Sequence, residues 1–96
     1  MYAPIAGEVL RSGLPYPIEW EINGTKSPVT TQKLYYSMDG GATWSLITTL
    51  DDSFRSYDWL PLAQTTKTKC KVKVAITDTK GVTSSDISDG YFTIQP

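Results

Sequence analysis

The sequence predicts an all-β protein in which about seven short antiparallel strands form a β-sandwich or a small barrel. Residues that favour strands are abundant, with 5 Val, 7 Ile, 13 Thr and 11 aromatic residues among 96, whereas the helix formers Glu and Ala number only 3 and 5. No stretch shows the period of roughly 3.6 residues that marks an amphipathic helix. Gly and Pro instead divide the chain into short segments, and connections without helices imply antiparallel pairing.

The first half of the chain contains four predicted strands separated by turn signals. In the second of these strands Ile18, Trp20 and Ile22 alternate with polar residues, which indicates one buried and one exposed face. Residues 23–28 are rich in Gly, Ser and Pro and are predicted to form a loop. The four predicted strands cover residues 7–10, 16–22, 32–37 and 44–50.

The second half contains three predicted strands, of which the middle one has the clearest pattern. Lysine occupies every second position there and alternates with Cys70, Val72 and Val74, so one face is cationic and the other is apolar. We expect the cationic face, Lys67, Lys69, Lys71 and Lys73, to be solvated, with binding of an anionic glycan or phosphate as the alternative. Residues 84–90 are predicted to be a polar loop. The three strands cover residues 55–60, 67–76 and 91–94.

The apolar positions of these strands define a predicted core. Each fully buried aliphatic or Phe side chain stabilises the fold by about 1.5–3 kcal/mol, so a core of this size does not require a disulfide. The single Cys has no partner for one in any case. The predicted inward residues are Ile18, Trp20, Ile22, Leu34, Tyr36, Trp44, Ile47, Tyr57, Trp59, Cys70, Val72, Val74, Phe92 and Ile94.

The turn between the third and fourth predicted strands carries the sharpest motif in the chain. Residues 37–44 read Ser-Met-Asp-Gly-Gly-Ala-Thr-Trp and match the pattern S-x-D-x-G-x-T-W of the Asp box at every fixed position. This resemblance implies a structural hairpin in which Asp39 accepts hydrogen bonds from the turn and Trp44 anchors it to the core. The residues that carry it are Ser37, Asp39, Gly41, Thr43 and Trp44.

A broader pattern resembles the immunoglobulin-like or fibronectin-III-like modules of bacterial exported and cell-surface proteins, and a fungal cell-wall domain is similar. The resemblance implies one antiparallel β-sandwich of about seven strands over residues 1–96. Because Cys70 has no second Cys to pair with, the sequence favours the fibronectin-III type, which lacks an inter-sheet disulfide. The matching residues are Gly7, Glu8, Leu10, Ser12, Gly13, Ile18, Trp20, Ser37, Asp39, Gly41, Thr43, Trp44, Tyr57, Trp59, Cys70, Val72, Val74, Ser88, Asp89, Phe92, Thr93 and Ile94.

Charge and composition argue against several classes of function. With 9 basic and 10 acidic residues, the chain lacks the basic excess of nucleic-acid-binding or anionic-membrane-binding proteins. It has no His, which removes the commonest general base and metal ligand. No nucleophile, phosphate-loop or metal motif accompanies the carboxylates Glu8, Glu19 and Glu21. We therefore expect no enzyme activity, no catalytic residues, no metal and no cofactor, and no inserted membrane segment.

The resemblance implies a non-catalytic structural spacer or protein-interaction module of a longer exported, cell-surface or periplasmic protein. Its partners would be the neighbouring domains of that protein, and surface polysaccharide or protein is a further expected partner. The isolated domain would be monomeric. The alternative is an accessory carbohydrate-binding or adhesion module, and a weaker third reading, prompted by the Asp box, is a part accessory to a propeller enzyme.

Two sets of side chains are candidate ligand contacts. Tyr2, Tyr16, Tyr35 and Tyr91 are candidates for partly exposed rings, and Tyr35 is the best of them because alternation points it outward. Asp78, Asp86 and Asp89 lie in two predicted late loops, where structural turns are favoured over a calcium site.

Overall fold

The computed structural model describes residues 3–21 and 29–96 and is all-β over these residues, with no helix. The described residues form eight strands, one more than the sequence predicts. The predicted loop 23–28, the predicted inward side chain of Ile22 and the exposed ring expected at Tyr2 lie outside the described residues. The strands are β1 (Val9–Arg11), β2 (Tyr16–Glu19), β3 (Val29–Ser37), β4 (Ser45–Leu50), β5 (Ser56–Trp59), β6 (Lys67–Asp78), β7 (Thr83–Ile87) and β8 (Phe92–Gln95).

The strands form a six-stranded sheet and a two-stranded sheet. The larger sheet has the order β1-β8-β6-β3-β4, and β7 also pairs with β6. Strand β6 is long enough to pair with β8 near its start and with β7 near its end. The smaller sheet is the antiparallel pair β2-β5, which Ala3 extends through a bridge to Glu19.

Strand β7 corrects the prediction of a polar loop at residues 84–90. Residues 83–87 pair in antiparallel register with Lys73–Thr77 of β6. Their sequence, Thr-Ser-Ser-Asp-Ile, has no apolar alternation, because a strand at a sheet edge with both faces largely exposed has little to bury. Beyond β7, Ser88 continues along β6: its amide donates to Val72 O over 2.9 Å, and its Oγ accepts the amide of Val72 over 3.0 Å.

Strand β1 corrects the expectation of purely antiparallel pairing, because it runs parallel to β8. No hairpin joins these two strands, so no short turn forces them to be antiparallel. Their contact extends beyond the strand ends: Gly7 N donates to Tyr91 O over 2.9 Å, and Ser12 N donates to Gln95 O over 2.7 Å. Residues 7–12 and 91–95 are thus hydrogen-bonded side by side.

The core draws apolar side chains from both sheets. Nine of the predicted inward residues are buried, while Tyr36, Ile47 and Tyr57 are half-buried and pack against the core. Leu10 and Ile76 are buried as well, although they were not among the predicted inward residues. The buried hydrophobic residues are Leu10, Ile18, Trp20, Leu34, Trp59, Cys70, Val72, Val74, Ile76, Phe92 and Ile94.

A buried glutamine joins the two sheets through hydrogen bonds. Gln32 of β3 is fully buried, and its Oε1 accepts the indole Nε1–H of Trp20 over 2.7 Å. Its Nε2 donates to the carbonyls of Asp51 and Phe54, over 2.6 and 2.9 Å. The side chain is therefore satisfied as acceptor and as donor, as a buried amide must be if its burial is not to destabilise the fold.

Candidate functional site

The turn between β3 and β4 is closed by hydrogen bonds among the residues of its motif. Ser37 Oγ donates to Asp39 Oδ1 over 2.7 Å and accepts the amide of Gly41 over 2.9 Å. Asp39 Oδ1 accepts the amide of Thr43 over 2.9 Å, and the Thr43 hydroxyl donates to Asp39 Oδ2. Gly40 and Gly41 have φ angles of 77° and 96°, which Gly adopts without steric cost. The turn is therefore held by its own side chains.

The same contacts determine the chemistry of Asp39. Hydrogen bonds from Thr43 and then Ser37 stabilise the charged form and lower its pKa from 3.8 to about 2. A carboxylate with so low a pKa is a weak base at neutral pH, although the side chain is exposed. These contacts give Asp39 a structural part in the turn.

Trp44 occupies a different place from the one predicted. It is half-buried and does not belong to the core, so the expectation that it anchors the hairpin to the core is wrong. Its ring lies 4.5 Å from Lys73 Nζ, and a Cβ atom at Gly41 would lie 3.5 Å from it. The ring therefore covers its own turn and packs on Lys73 of β6, on the face of the sheet opposite the core.

A row of four side chains crosses this outward face. Tyr35 of β3 is paired with Leu46 of β4 on one side and with Lys73 of β6 on the other. Lys73 is paired in turn with Ile87 of β7. Because side chains of directly paired residues lie on the same face, the row is continuous across four strands. Leu46 is 54% exposed and Ile87 is 41% exposed, so both ends of the row are open to solvent.

Lysines and aromatic rings meet on this face in three cation–π contacts. Lys73 Nζ lies 5.0 Å from the ring centre of Tyr35, in addition to its contact with Trp44. Lys71 Nζ lies 5.3 Å from the ring centre of Tyr91, which is 45% exposed. We call these five residues, Tyr35, Trp44, Lys71, Lys73 and Tyr91, the lysine–aromatic face.

A cleft of about 310 Å³ lies beside the hairpin. Lys67 lines it, although the alternation in β6 predicts that Lys67 shares a face with the lysines that follow. The strand register shifts between Lys67 and Cys70, which separates Lys67 from the regular alternation of the later lysines. The lining residues are Tyr36, Ser37, Met38, Asp39, Thr43, Ser45 and Lys67.

Glu8 and Glu19 are among the acidic residues considered for acid–base chemistry. Glu8 accepts hydrogen bonds from the hydroxyl of Tyr16 and, over 3.0 Å, from the amide of Ile5. Burial, followed by the bond to Glu8 and the charges of Glu8 and Glu19, raises the pKa of Tyr16. Glu19 itself is exposed on β2, where its backbone pairs with Ala3.

The late aspartates are distributed over a turn, a strand and a loop. Asp78 Oδ1 accepts the amides of Lys80 and Val82, over 2.9 and 3.0 Å, and so closes the turn between β6 and β7. Asp86 lies within β7 opposite Val74, which corrects its predicted place in a loop. Asp89 is exposed after that strand. Within residues 3–21 and 29–96, no three acidic or Cys side chains are grouped closely enough to hold a metal ion.

Cys70 lies on the inward face of β6 and is fully buried. Burial raises the pKa of its thiol, and its Sγ lies 3.4 Å from the carbonyl oxygen of Lys67. A buried thiol of this kind packs as a small apolar group. For the part of the chain that the structure describes, no helix is long and apolar enough to cross a membrane.

Sequence reasoning singled out Tyr35, Tyr91 and the lysines, but not the group that they form. Register brings Leu46 and Ile87 beside them, and the path of the chain brings in Tyr91, whose hydroxyl would lie 3.2 Å from a Cβ at Gly40. Such neighbours depend on which strands pair, which alternation within one strand does not specify.

Comparison with models of protein families, with curated proteins and with solved structures finds no match to the chain.

Proposed function

We propose that the protein is a non-catalytic β-sandwich module of the fibronectin-III/immunoglobulin type, with residues 37–44 as an Asp-box hairpin. In this proposal it acts as a structural spacer or protein-interaction module within a longer exported or cell-surface protein. The core shared between two sheets supports the sandwich. The hydrogen bonds of Ser37, Asp39 and Thr43 support the hairpin assignment.

The observation that carries the spacer role is the direction of the chain at its two ends. Strands β1 and β8 are parallel, so the chain enters β1 at the end of the pair opposite to the one where it leaves β8. Ala3, near the start of the described chain, pairs with Glu19, the last residue of β2. Gln95, near the end of the chain, pairs with Arg11, the last residue of β1, just before the turn that leads into β2. The two ends of the described chain therefore point in opposite directions.

This geometry suits a module that carries tension between neighbouring domains. Force applied to the two ends pulls β1 and β8 along their length in opposite senses, so their hydrogen bonds must break together rather than one at a time. The Cα positions extend over 41 × 23 × 19 Å, which makes the molecule longer than it is wide. A spacer of this shape would set the distance between its neighbours without chemistry of its own.

Single-molecule pulling tests the spacer role. When the protein is pulled through its two termini, we expect one unfolding event that releases about 300 Å of chain, since an extended residue spans roughly 3.3–3.6 Å. A matched control applies force between a Cys introduced at the exposed position Leu14 and the C-terminus. Both points lie at the same end of the β1–β8 pair, so this force separates the two strands one hydrogen bond at a time, in a peeling geometry. Native Cys70 is buried and does not compete for the handle.

We expect the unfolding force to be several-fold higher in the end-to-end geometry than in the peeling geometry. Equal, low forces in both geometries would overturn the spacer proposal, because the parallel pair would then bear no load.

A second function, accessory carbohydrate binding or adhesion, is favoured by a separate observation. The lysine–aromatic face presents partly exposed rings and cations together, and it lies on the opposite side of the sheet from the core. Ligand binding there is compatible with a spacer role, because β1 and the chain ends are not part of this face.

A further inference from the structure

We propose that the lysine–aromatic face binds an acidic polysaccharide. Carboxylates of uronic-acid residues would pair with Lys71 and Lys73, and the flat faces of the sugar rings would stack on the aromatic side chains. This inference deepens the second proposed function by naming its ligand class and its residues, and it is independent of the spacer role.

The geometry provides both kinds of contact at one place. Lys73 lies between two rings, 5.0 Å from Tyr35 and 4.5 Å from Trp44, and Lys71 lies 5.3 Å from Tyr91. These contacts hold the lysine side chains, which are otherwise flexible, against a platform of rings. Less ordering is then required when a ligand binds.

The charge of this face is complementary to an anion. The outward positions of β3 and β6 carry Lys33, Lys69, Lys71 and Lys73, and β4 has no charged residue. The acidic residues of β6 and β7 are Asp78 and Asp86, both in register with the inward face. Four cations and no carboxylate therefore occupy the outward positions of β3, β4, β6 and β7, although the whole chain has a net charge of −1.

The composition of the face favours a polysaccharide over a protein partner. Lysine is depleted at the centres of protein–protein interfaces, because a strongly hydrated ammonium is costly to bury, yet Lys71 and Lys73 are central here. Hydroxyl side chains occupy outward positions farther along the same sheet, at Ser85 of β7, Thr31 of β3 and Thr77 of β6. Ammonium groups, rings and hydroxyls together match a hydrated ligand that is itself anionic and rich in hydroxyls.

The test compares three polymers for binding to the intact 96-residue chain at low salt. Polygalacturonate is the acidic probe, its fully methyl-esterified form has the same backbone without charge, and poly-L-glutamate has the charge without sugar rings. Isothermal titration calorimetry measures each affinity. We expect polygalacturonate to bind at least tenfold more tightly than either control polymer, and added salt to weaken its binding.

Two variants test whether the named residues carry the binding. Lys73→Gln keeps a polar side chain and removes its charge, and we expect about a tenfold loss of affinity for polygalacturonate. Lys80→Gln, at an exposed lysine in the turn after β6, makes the same change in net charge and should alter affinity less than twofold. Tyr91→Ala removes an exposed ring and should also lower the affinity for polygalacturonate. Circular dichroism checks that each variant is folded.

Each alternative outcome has a definite meaning. Equal binding of polygalacturonate and poly-L-glutamate would overturn the proposal in favour of a protein ligand or of charge alone. Equal binding of the esterified polymer would overturn the acidic ligand class and leave carbohydrate binding in place. No binding of any polymer would overturn this inference and the second proposed function together, and it would leave the pulling experiment on the spacer unaffected. Equal losses in Lys73→Gln and Lys80→Gln would move the site away from this face.

Discussion

At the scale of single residues, Asp39 shows how a short motif determines a local structure. The motif predicts that its carboxylate accepts hydrogen bonds within the turn, and the structure shows bonds from Ser37 and from both the amide and the hydroxyl of Thr43. These contacts join residues no more than four apart in the chain, so they do not depend on the rest of the fold. This is why the sequence alone indicated them.

The low pKa of Asp39 predicts how stability depends on pH. Its folded-state pKa of about 2 lies below its ordinary value of 3.8, so the ionised group favours folding above about pH 4. That contribution is lost as the pH falls through 2. Asp39→Asn should therefore lower the free energy of unfolding at pH 7, and its difference from wild type should shrink towards pH 2.

Urea unfolding of both proteins between pH 7 and pH 2 measures this difference. Asp52→Asn, at an exposed carboxylate outside the turn, makes the same change in net charge and serves as the control. A difference between wild type and Asp39→Asn that stays constant down to pH 2 would contradict the prediction.

At the scale of secondary-structure elements, β7 shows where patterns within the chain are insufficient. Its segment is polar throughout and was predicted to be a loop, but a tight turn at Asp78 places it against β6. Asp78 is 8% exposed, and its carboxylate accepts two amides of the turn. The strand therefore owes its conformation to its neighbour and to the turn rather than to its own apolar content.

Removing the carboxylate of this turn should loosen β7. Asp78→Ala leaves the amides of Lys80 and Val82 without their acceptor, and we expect the free energy of unfolding to fall by about 1–3 kcal/mol. Hydrogen exchange should accelerate more in the amides of β7 than in those of β1, which is distant along the sheet.

Asp89→Ala, at an exposed residue, is the matched control and should change stability by less than about 0.5 kcal/mol. If exchange in β7 is the same in Asp78→Ala as in wild type, the turn does not hold the strand.

At the scale of the whole molecule, Gln32 links parts that are far apart in the chain. It joins the Trp20 indole, next to β2, to the loop between β4 and β5 through three hydrogen bonds. Alternation places Gln32 on the same side of β3 as Leu34, but its polarity gave no reason to include it in the core. Its partners explain its burial, and they are known only from the tertiary structure.

Replacing Gln32 with Leu should destabilise the whole fold. The volume changes little, but the Trp20 indole and the carbonyls of Asp51 and Phe54 lose their partners, so we expect a loss of about 2–4 kcal/mol. Tryptophan fluorescence and circular dichroism should give one coincident urea transition in wild type and in the variant, at a lower midpoint in the variant.

Lys33→Leu, on the exposed side of the same strand, provides the control for adding an apolar side chain. If Gln32→Leu is as stable as wild type, the buried network does not contribute to the link between the sheets.

The sequence by itself determined that the fold is all-β, and it determined most strand positions and most of the core. The period of two in β6 and β2 and the abundance of β-branched and aromatic residues are properties of neighbouring residues, so they can be read along the chain. The bounds of the strands differ from the prediction by a few residues, and β3 begins three residues earlier than expected. The hydrogen bonds of the Asp39 turn were also predicted from the sequence, because they join residues that are close together in the chain.

The tertiary structure alone decided the parallel pairing of β1 with β8, the strand at residues 83–87, the burial of Gln32 and the outward position of Trp44. Each depends on contacts between residues distant in the chain, which alternation within a segment cannot specify. The lysine–aromatic face belongs to this second group: Tyr35, Lys73 and Tyr91 come from three segments that the pairing of strands brings together. The side chains were visible in the sequence, and their arrangement as a surface followed only from the fold.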